Sequence, residues 1–281
     1  MVKNGGTKKR DRKREKMKEK IIKLGFAAIL TGALMMGAKA EAKTVFGDYL
    51  SEMGVEVEVS GAVDFYNQYI WRGFKLDSDP VIQPSVTISA AGFEGGFWGS
   101  FDVDQDDGEG VNSDEVDGWI GYGFDLGFID ESLEIVSLSV GNTWYSFPGT
   151  DLYTKELYVG LSVDTLLSPY FTWYHDYGDE DQGGADGNYY MFGIGHSLTL
   201  SEDYGITLDA GFELGLNDDA FITGNGGYTL TTLGITIPLS DNVTMAPVIA
   251  YSSPFKDLSE DSGGFEQDDE FYTGVSMSFS M

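Results

Sequence analysis

The sequence predicts an all-β protein, a transmembrane, antiparallel, up-and-down β-barrel of about twelve strands that follows a cleaved signal peptide. Three observations predict this fold. The N-terminal segment is first basic and then apolar. Apolar and polar residues alternate with a period of two over most of the remaining chain, with no convincing helical period. Short and long connections then alternate between these segments.

The N-terminal segment has the three parts of a secretory signal. A basic region through Lys23 precedes an apolar stretch that ends at Met36, and Ala38-Lys39-Ala40 offers a small-residue cleavage site. A membrane anchor or a nucleic-acid-binding arm is less favoured, because the apolar stretch is shorter than the roughly 20 residues that a spanning helix needs. The predicted parts of the chain are a signal peptide (1–40), a short periplasmic segment (41–54) and the barrel (55–281).

Composition narrows the possible functions. The chain has 281 residues and a formal net charge of -29, and its basic residues concentrate in the predicted signal peptide. The mature protein is therefore strongly acidic, which argues against nucleic-acid binding. The absence of Cys excludes thiol catalysis, disulfides and thiolate metal sites. No cofactor is implied.

Period-two alternation begins at Val55 and repeats along the chain. In the first segment, Val63 and Phe65 share one face with Trp71, while Asp64 falls on the other face with Arg72. One face suits lipid and the other suits water. The further predicted strands lie near residues 81–90, 93–103, 116–126, 134–147, 155–164, 166–177, 188–200, 205–216, 229–239, 243–252 and 270–281.

The connections between these segments predict the orientation in the membrane. The tight ones are 91–92, 127–132, 165, 201–204 and 240–242, and the longer ones are 75–80, 104–115, 148–154, 178–187, 217–228 and 253–269. Bacterial barrels pair short periplasmic turns with longer outside loops. The pattern therefore predicts an outer-membrane protein with an even strand number and both termini in the periplasm.

Tryptophans mark the predicted membrane interface. Trp71, Trp144 and Trp173 fall where strands meet the longer loops and face outward in the alternation, as an aromatic girdle requires. Trp98 and Trp119 instead face inward. A soluble β-sandwich could also alternate, but it has no reason to place most of its tryptophans according to loop length.

Charged residues on the inward face are candidates for lining a channel. Arg72 has two open interpretations, structural ion pairing or a place in a constriction. Acidic side chains in a pore enrich cations, so the set predicts cation preference. The predicted lumen-lining residues are Asp64, Arg72, Glu94, Asp102, Asp117, Glu156, Asp176, Asp209 and Glu213.

Two other chemistries, metal binding and hydrolysis, fit the sequence less well. The acidic run containing Asp102, Asp104 and Asp106 supplies carboxylates that Ca²⁺ prefers, but its spacing fails the EF-hand pattern, so it predicts no specific metal site. Hydrolase chemistry would need His175 or His196, whose neighbours in sequence face the opposite side of a strand. We therefore expect that this protein is not an enzyme.

Short aromatic motifs carry a family resemblance. Tyr69-Ile70-Trp71-Arg72-Gly73, followed by Pro80 and Pro84, resembles the bacterial family of conserved hypothetical outer-membrane barrels called Gcw_chp, or TorF-type porins. Two later segments, 145–149 and 155–160, are also similar, whereas the acidic 104–115 loop and the final Met281 depart from the pattern. The resemblance implies a porin without a defined substrate.

The sequence as a whole predicts a passive outer-membrane channel for small hydrophilic solutes, with a preference for cations. Its expected partners are outer-membrane lipid and lipopolysaccharide, together with small hydrophilic solutes or cations. The alternative is a structural or adhesive barrel whose lumen is closed and whose acidic outer loops bind cations. Barrels of about this size permit either outcome, since small barrels can fill their interiors with side chains.

Overall fold

The computed structural model describes residues 56–103, 114–221, 224–260 and 266–281. The predicted signal peptide, the predicted periplasmic segment, Asp104 and Asp106 lie outside these residues. Short 3-10 helices occupy Glu131–Leu133, Glu180–Gln182 and Lys256–Leu258. The strands are β1 (Val57–Tyr66), β2 (Tyr69–Trp71), β3 (Phe74–Asp77), β4 (Val81–Ala90), β5 (Phe93–Asp102), β6 (Glu115–Asp125), β7 (Val136–Ser146), β8 (Tyr153–Val163), β9 (Tyr170–Asp176), β10 (Asn188–Ser201), β11 (Ile206–Asp218), β12 (Gly227–Ser240), β13 (Val243–Phe255) and β14 (Glu270–Ser280).

A closed barrel is formed by β1 and β4 to β14, so the prediction of a twelve-stranded, up-and-down barrel is confirmed. Each strand pairs with its neighbours in antiparallel fashion, and β1 closes the ring between β4 and β14. The Val59 amide donates to the Met281 carbonyl at 3.1 Å, and the Met281 amide donates to the Val59 carbonyl at 2.8 Å. Closure leaves no strand edge whose backbone N–H and C=O groups would lie unpaired in hydrocarbon.

Large apolar side chains cover the outside of this barrel. Ile88 is 55% exposed, Phe212 44% and Leu233 42%, and the sequence neighbours of each are polar residues or glycine. A continuous apolar exterior is unfavourable in water and suits hydrocarbon. The protein is therefore an outer-membrane barrel, because antiparallel barrels of this kind occupy the bacterial outer membrane.

No helix in the described part of the chain is long and apolar enough to cross a membrane.

The connections alternate largely as predicted. The inner end of the barrel carries 91–92, 126–135, 164–169, 202–205 and 241–242, and the outer end carries 67–80, 103–114, 147–152, 177–187, 219–226 and 256–269. The alternation is not strict, because the inner connection 126–135 is longer than the outer connection 147–152. In that inner connection Asp130 accepts hydrogen bonds from the Ser132 hydroxyl and amide, which lower the pKa of Asp130.

The first strand differs from its prediction. β1 ends at Tyr66 and does not continue through Trp71; β2 and β3 form a separate two-stranded sheet. Between them, Arg72 and Gly73 have φ of 50° and 82°. Positive φ at both central residues is the requirement of a type I′ turn, the tight turn that matches strand twist. The Arg-Gly dipeptide is therefore the tip of a hairpin, called here the lumen hairpin (Tyr69–Asp77).

Inward-facing glycines let aromatic rings lie flat against the barrel wall. A side-chain carbon at Gly141 would collide with the Tyr158 ring, and one at Gly96 would collide with Trp119. Aromatic rings that cover glycines on a neighbouring strand restore packing that the glycine lacks. The arrangement explains why Trp119 faces inward, and it keeps bulky rings close to the wall.

Candidate functional site: the lumen and its hairpin

The lumen hairpin crosses the interior of the barrel. It follows β1 and precedes β4, which are neighbours in the wall. β9 lies six strands from β1 in either direction round the ring, and so on the opposite wall. At its tip, Arg72 contacts Glu156 on β8, Tyr174 on β9 and Tyr189 on β10. The hairpin therefore spans the lumen from one side to the other at the outer part of the barrel.

Arg72 forms a buried ion pair at the far wall. Arg72 is 7% exposed and Glu156 is 1% exposed. The two terminal nitrogens donate to the two Glu156 oxygens at 2.7 and 2.9 Å, and the Tyr145 hydroxyl donates to the same carboxylate at 2.5 Å. Burial alone would lower the pKa of Arg72, but the attraction of Glu156 raises the pKa well above its usual value. Arg72 therefore stays charged.

Aromatic rings surround the guanidinium of Arg72. Its central carbon lies 4.2 Å from the Tyr174 ring centroid and 4.5 Å from those of Trp71 and Tyr189, with Phe221 at 5.5 Å. Contacts of this kind are worth about 0.5 to 2 kcal/mol each, depending on how far the cation is desolvated. The ion pair and the rings together fasten the hairpin tip.

Apolar packing fills the outer part of the lumen beside this ion pair. Phe74 of the hairpin packs with Tyr189, Tyr228, Ala220 and Leu258, all of them buried. The last two belong to outer connections, which fold in over the hairpin. The outer mouth of the barrel is narrowed by these side chains.

The base of the hairpin is tied to both flanking walls. The Tyr69 hydroxyl donates to Glu115 on β6 at 2.9 Å, and burial raises the pKa of Tyr69 well above its usual value. On the other side, the Gln68 amide donates to Glu270 at 3.0 Å, and Lys75 forms an ion pair with the same carboxylate. The hairpin is thus held at its tip and at its base.

Three of the predicted lumen residues take no part in the ion pair between Arg72 and Glu156. Glu213 accepts from Tyr170 at 2.5 Å and also from Tyr228. Asp209 accepts from Thr207 at 3.0 Å and from Thr236 at 2.8 Å. Glu94 accepts from the Tyr158 hydroxyl. All three are bonded to neutral hydroxyls, and no Lys or Arg in the described part of the chain forms an ion pair with them.

Four other predicted lumen residues lie toward the outer end. Asp176 is 1% exposed and accepts from Thr154 and from two backbone amides of the 177–187 connection, so it holds that connection in place. Asp117 is buried beside Glu115, and Asp64 pairs across β1 and β14 with Ser276. Asp102 ends β5, where its amide donates to Asp114 at 3.3 Å.

A cavity of about 450 Å³ lies between the hairpin and the wall formed by β7 to β12. The hairpin contributes Trp71 and Arg72, and the wall contributes aromatic rings, hydroxyls and the Glu213 carboxylate. Its lining residues are Ile70, Trp71, Arg72, Ser139, Thr143, Tyr145, Tyr158, Thr172, Tyr174, Met191, Glu213, Tyr228 and Leu230.

The predicted interfacial tryptophans divide into two groups. Trp144 is 46% exposed on the outside, and Trp173 lies on the outward face of β9, where it stacks on His175. The prediction for Trp71 is wrong, because its ring lies inside the lumen with its centroid 4.9 Å from that of Phe221. The break after Tyr66 ends the alternation on which that prediction depended. The Arg72-Gly73 pair, which lies between two short apolar runs, is the sequence signal that could have indicated this turn.

Each histidine side chain contacts a backbone carbonyl oxygen. His175 Nδ1 lies 3.1 Å from the Gly187 carbonyl oxygen, and His196 Nδ1 lies 2.8 Å from that of Leu166. Within the described ranges, no group of three or more His, Cys, Asp or Glu is arranged to hold a metal ion.

Comparison with known structures finds other outer-membrane barrels. The NanC porin has 13% identity and a TM-score of 0.46, over 79% of this chain and 98% of that one. The KdgM porin has 10% identity and a TM-score of 0.49, over 80% and 99%. An outer membrane channel from Pseudomonas putida F1 has 9% identity and a TM-score of 0.49, over 80% and 95%. These similarities concern the fold alone.

Comparison by sequence gives a family. Among curated proteins, no relative matches the chain. The model of the family described as "Bacterial protein of unknown function (Gcw_chp)" matches residues 51–279, which cover all but the last residues of the barrel. The chain therefore belongs to the Gcw_chp family of bacterial proteins.

Proposed function

We propose that this barrel is a passive channel for small hydrophilic solutes that prefers cations, with an outer mouth narrowed by the lumen hairpin. The observation that carries the proposal is the charge of the lumen wall. Glu94, Asp209 and Glu213 face inward without a basic partner in the described residues, whereas the charge of Arg72 is matched by Glu156. A low-dielectric wall focuses the field of such carboxylates into the pore, which enriches cations and depletes anions.

The inner half of the lumen supports passage of hydrated solutes. Its wall is formed largely by small hydroxyl residues whose cross-strand pairing places them on the inward face. They include Ser137, Ser139, Ser162, Ser197, Thr207, Thr236, Thr244 and Ser278. Hydroxyl groups exchange hydrogen bonds with water and with polar solutes without demanding a charge. The resemblance to TorF-type porins favours the same class of function.

The reversal potential across a planar bilayer in asymmetric KCl tests the cation preference. Purified protein is expected to give a potential displaced toward the equilibrium potential of K⁺. The displacement should shrink as salt rises, because the screening length falls from about 10 Å at 0.1 M to about 3 Å at 1 M. Glu213→Gln, which keeps hydrogen-bonding capacity but removes charge, should reduce the displacement. A potential displaced toward that of Cl⁻ contradicts the proposal.

A second candidate is a structural or adhesive barrel with a closed lumen. The specific observation that favours it is the hairpin, which spans the lumen and packs against both walls. Substituted-cysteine labelling separates the two, since the chain has no native Cys. Ser139→Cys places a thiol in the cavity beneath the hairpin. Labelling of intact cells by a membrane-impermeant cationic thiol reagent supports the channel, and complete protection of the thiol supports the closed barrel.

A further inference from the structure

We infer that the barrel wall carries a binding site for a guanidinium or primary ammonium group, which Arg72 occupies in this structure and for which small organic cations compete. A solute that displaces Arg72 would release the hairpin tip. This consequence for transport rests on the proposed channel function. Binding itself can be measured without transport.

Four of the residues that hold Arg72 belong to barrel strands, whereas Trp71 belongs to the hairpin and Phe221 to an outer connection. Tyr145, Glu156, Tyr174 and Tyr189 lie on four successive strands, β7 to β10, whose pairing is continuous. A site on paired strands keeps its geometry better than one on a loop. The site should therefore persist when the hairpin tip leaves.

The chemistry of this site is specific for a planar or compact cation. Glu156 presents both oxygens to the two terminal nitrogens of one guanidinium, and its second oxygen is fixed by the Tyr145 hydroxyl. The Tyr174 and Tyr189 rings lie within 4.5 Å of the cation's centre. A carboxylate flanked by aromatic faces is the arrangement that binds guanidinium and ammonium groups through charge and cation–π attraction.

The site is reached from the lumen. Arg72, Tyr145 and Tyr174 line the cavity of about 450 Å³ beneath the hairpin. Glu213 lines the same cavity and has no basic partner among the described residues. A solute with a second positive charge can therefore pair with Glu213 as well. These features favour small organic cations over neutral or anionic solutes.

Arg72 acts as a tethered competitor. A group held by a short segment competes at a high effective concentration, so a free cation displaces it poorly unless the tethered group is removed. Arg72→Gly empties the site without distorting the turn, because glycine adopts the φ of 50° at this position more readily than arginine. The Tyr and Glu residues of the wall are unchanged in that variant.

Binding of methylguanidinium chloride to the full-length protein in detergent tests the inference. Tryptophan fluorescence is the readout, with KCl at equal ionic strength as the salt control. In Arg72→Gly we expect a saturable change at millimolar concentration that the unaltered protein lacks over the same range. Adding Glu156→Gln in that background should weaken binding by about tenfold or more, whereas adding Asp209→Asn, which removes the charge of a lumen carboxylate outside the cavity, should leave most of the binding.

The outcomes are distinct. No saturable change in a heat-modifiable Arg72→Gly barrel overturns the inference, and so does equal binding with and without Glu156→Gln. Should Arg72→Gly fail to give a barrel that shifts on a gel after boiling, Arg72→Asn replaces it, since Asn-Gly is a favoured pair in a type I′ turn and asparagine carries no positive charge to occupy the site; a response to methylguanidinium is again expected, and its absence overturns the inference. A silent bilayer together with saturable binding contradicts the channel function and leaves the site standing.

Discussion

Glu156→Gln is expected to release the lumen hairpin. The variant leaves the Arg72 guanidinium buried at 7% exposure without its counter-charge. Removing one partner of a buried pair costs about 3 to 5 kcal/mol. The hairpin can avoid this cost by undocking, since its tip is held by side chains and not by strand pairing with the wall. The population of undocked hairpin should therefore rise by about 10² to 4 × 10³-fold, at 1.4 kcal/mol per factor of ten.

The assay is the rate of thiol modification in Ser139→Cys, measured with and without Glu156→Gln. When the thiol is reached only through the undocked state, the rate follows the undocked population. Lys75→Ala is the matched control, because it also removes a hairpin ion pair, but an exposed one worth at most about 1 kcal/mol, or about fivefold. A Glu156→Gln rate within twofold of the parent refutes the account of the ion pair as the main fastening. In the double variant with Arg72→Gly, the two effects should not add, since both remove the same interaction.

The remaining predictions concern the barrel wall. Leu233→Arg, on the lipid face, should cost about 2 to 4 kcal/mol and lower the yield of folded barrel, whereas Thr232→Arg on the lumen face should be tolerated; equal yields would mean that the two faces are assigned wrongly. Gly141→Ala should destabilise the barrel by about 1 to 3 kcal/mol through collision with the Tyr158 ring. Gly195→Ala, where the nearest atom would be 3.5 Å away, is its control in thermal unfolding.

Much of the barrel could be predicted from the sequence because lipid and lumen impose opposite chemistries on adjacent residues. β4 was predicted at residues 81–90, and the structure places it at Val81–Ala90. A slip of one residue would turn every side chain to the wrong environment, so the alternation determines which face of such a strand meets lipid. The same argument placed Trp98 and Trp119 in the lumen.

The lumen hairpin could not be predicted in this way. Tyr69 and Trp71 keep the phase of the outward face of β1, so the pattern does not distinguish a first strand that continues to Trp71 from a hairpin folded inside the barrel. The partner that fastens the hairpin is 84 residues away in sequence, and only the closed ring brings Glu156 opposite Arg72. The prediction offered ion pairing as one of two roles for Arg72, but it could not single out Glu156 among the inward-facing acidic residues or foresee the rings around the ion pair.

Single-channel conductance of the unaltered protein and of Arg72→Gly, in the same bilayer and the same KCl solution, shows whether an acidic channel is narrowed at its outer mouth by a hairpin fastened through Arg72 and Glu156. We expect a small or intermittent conductance from the unaltered protein, and a larger and steadier cation-selective conductance from Arg72→Gly. Equal conductance in the two proteins, or no current through either, would mean that the hairpin does not narrow an open channel.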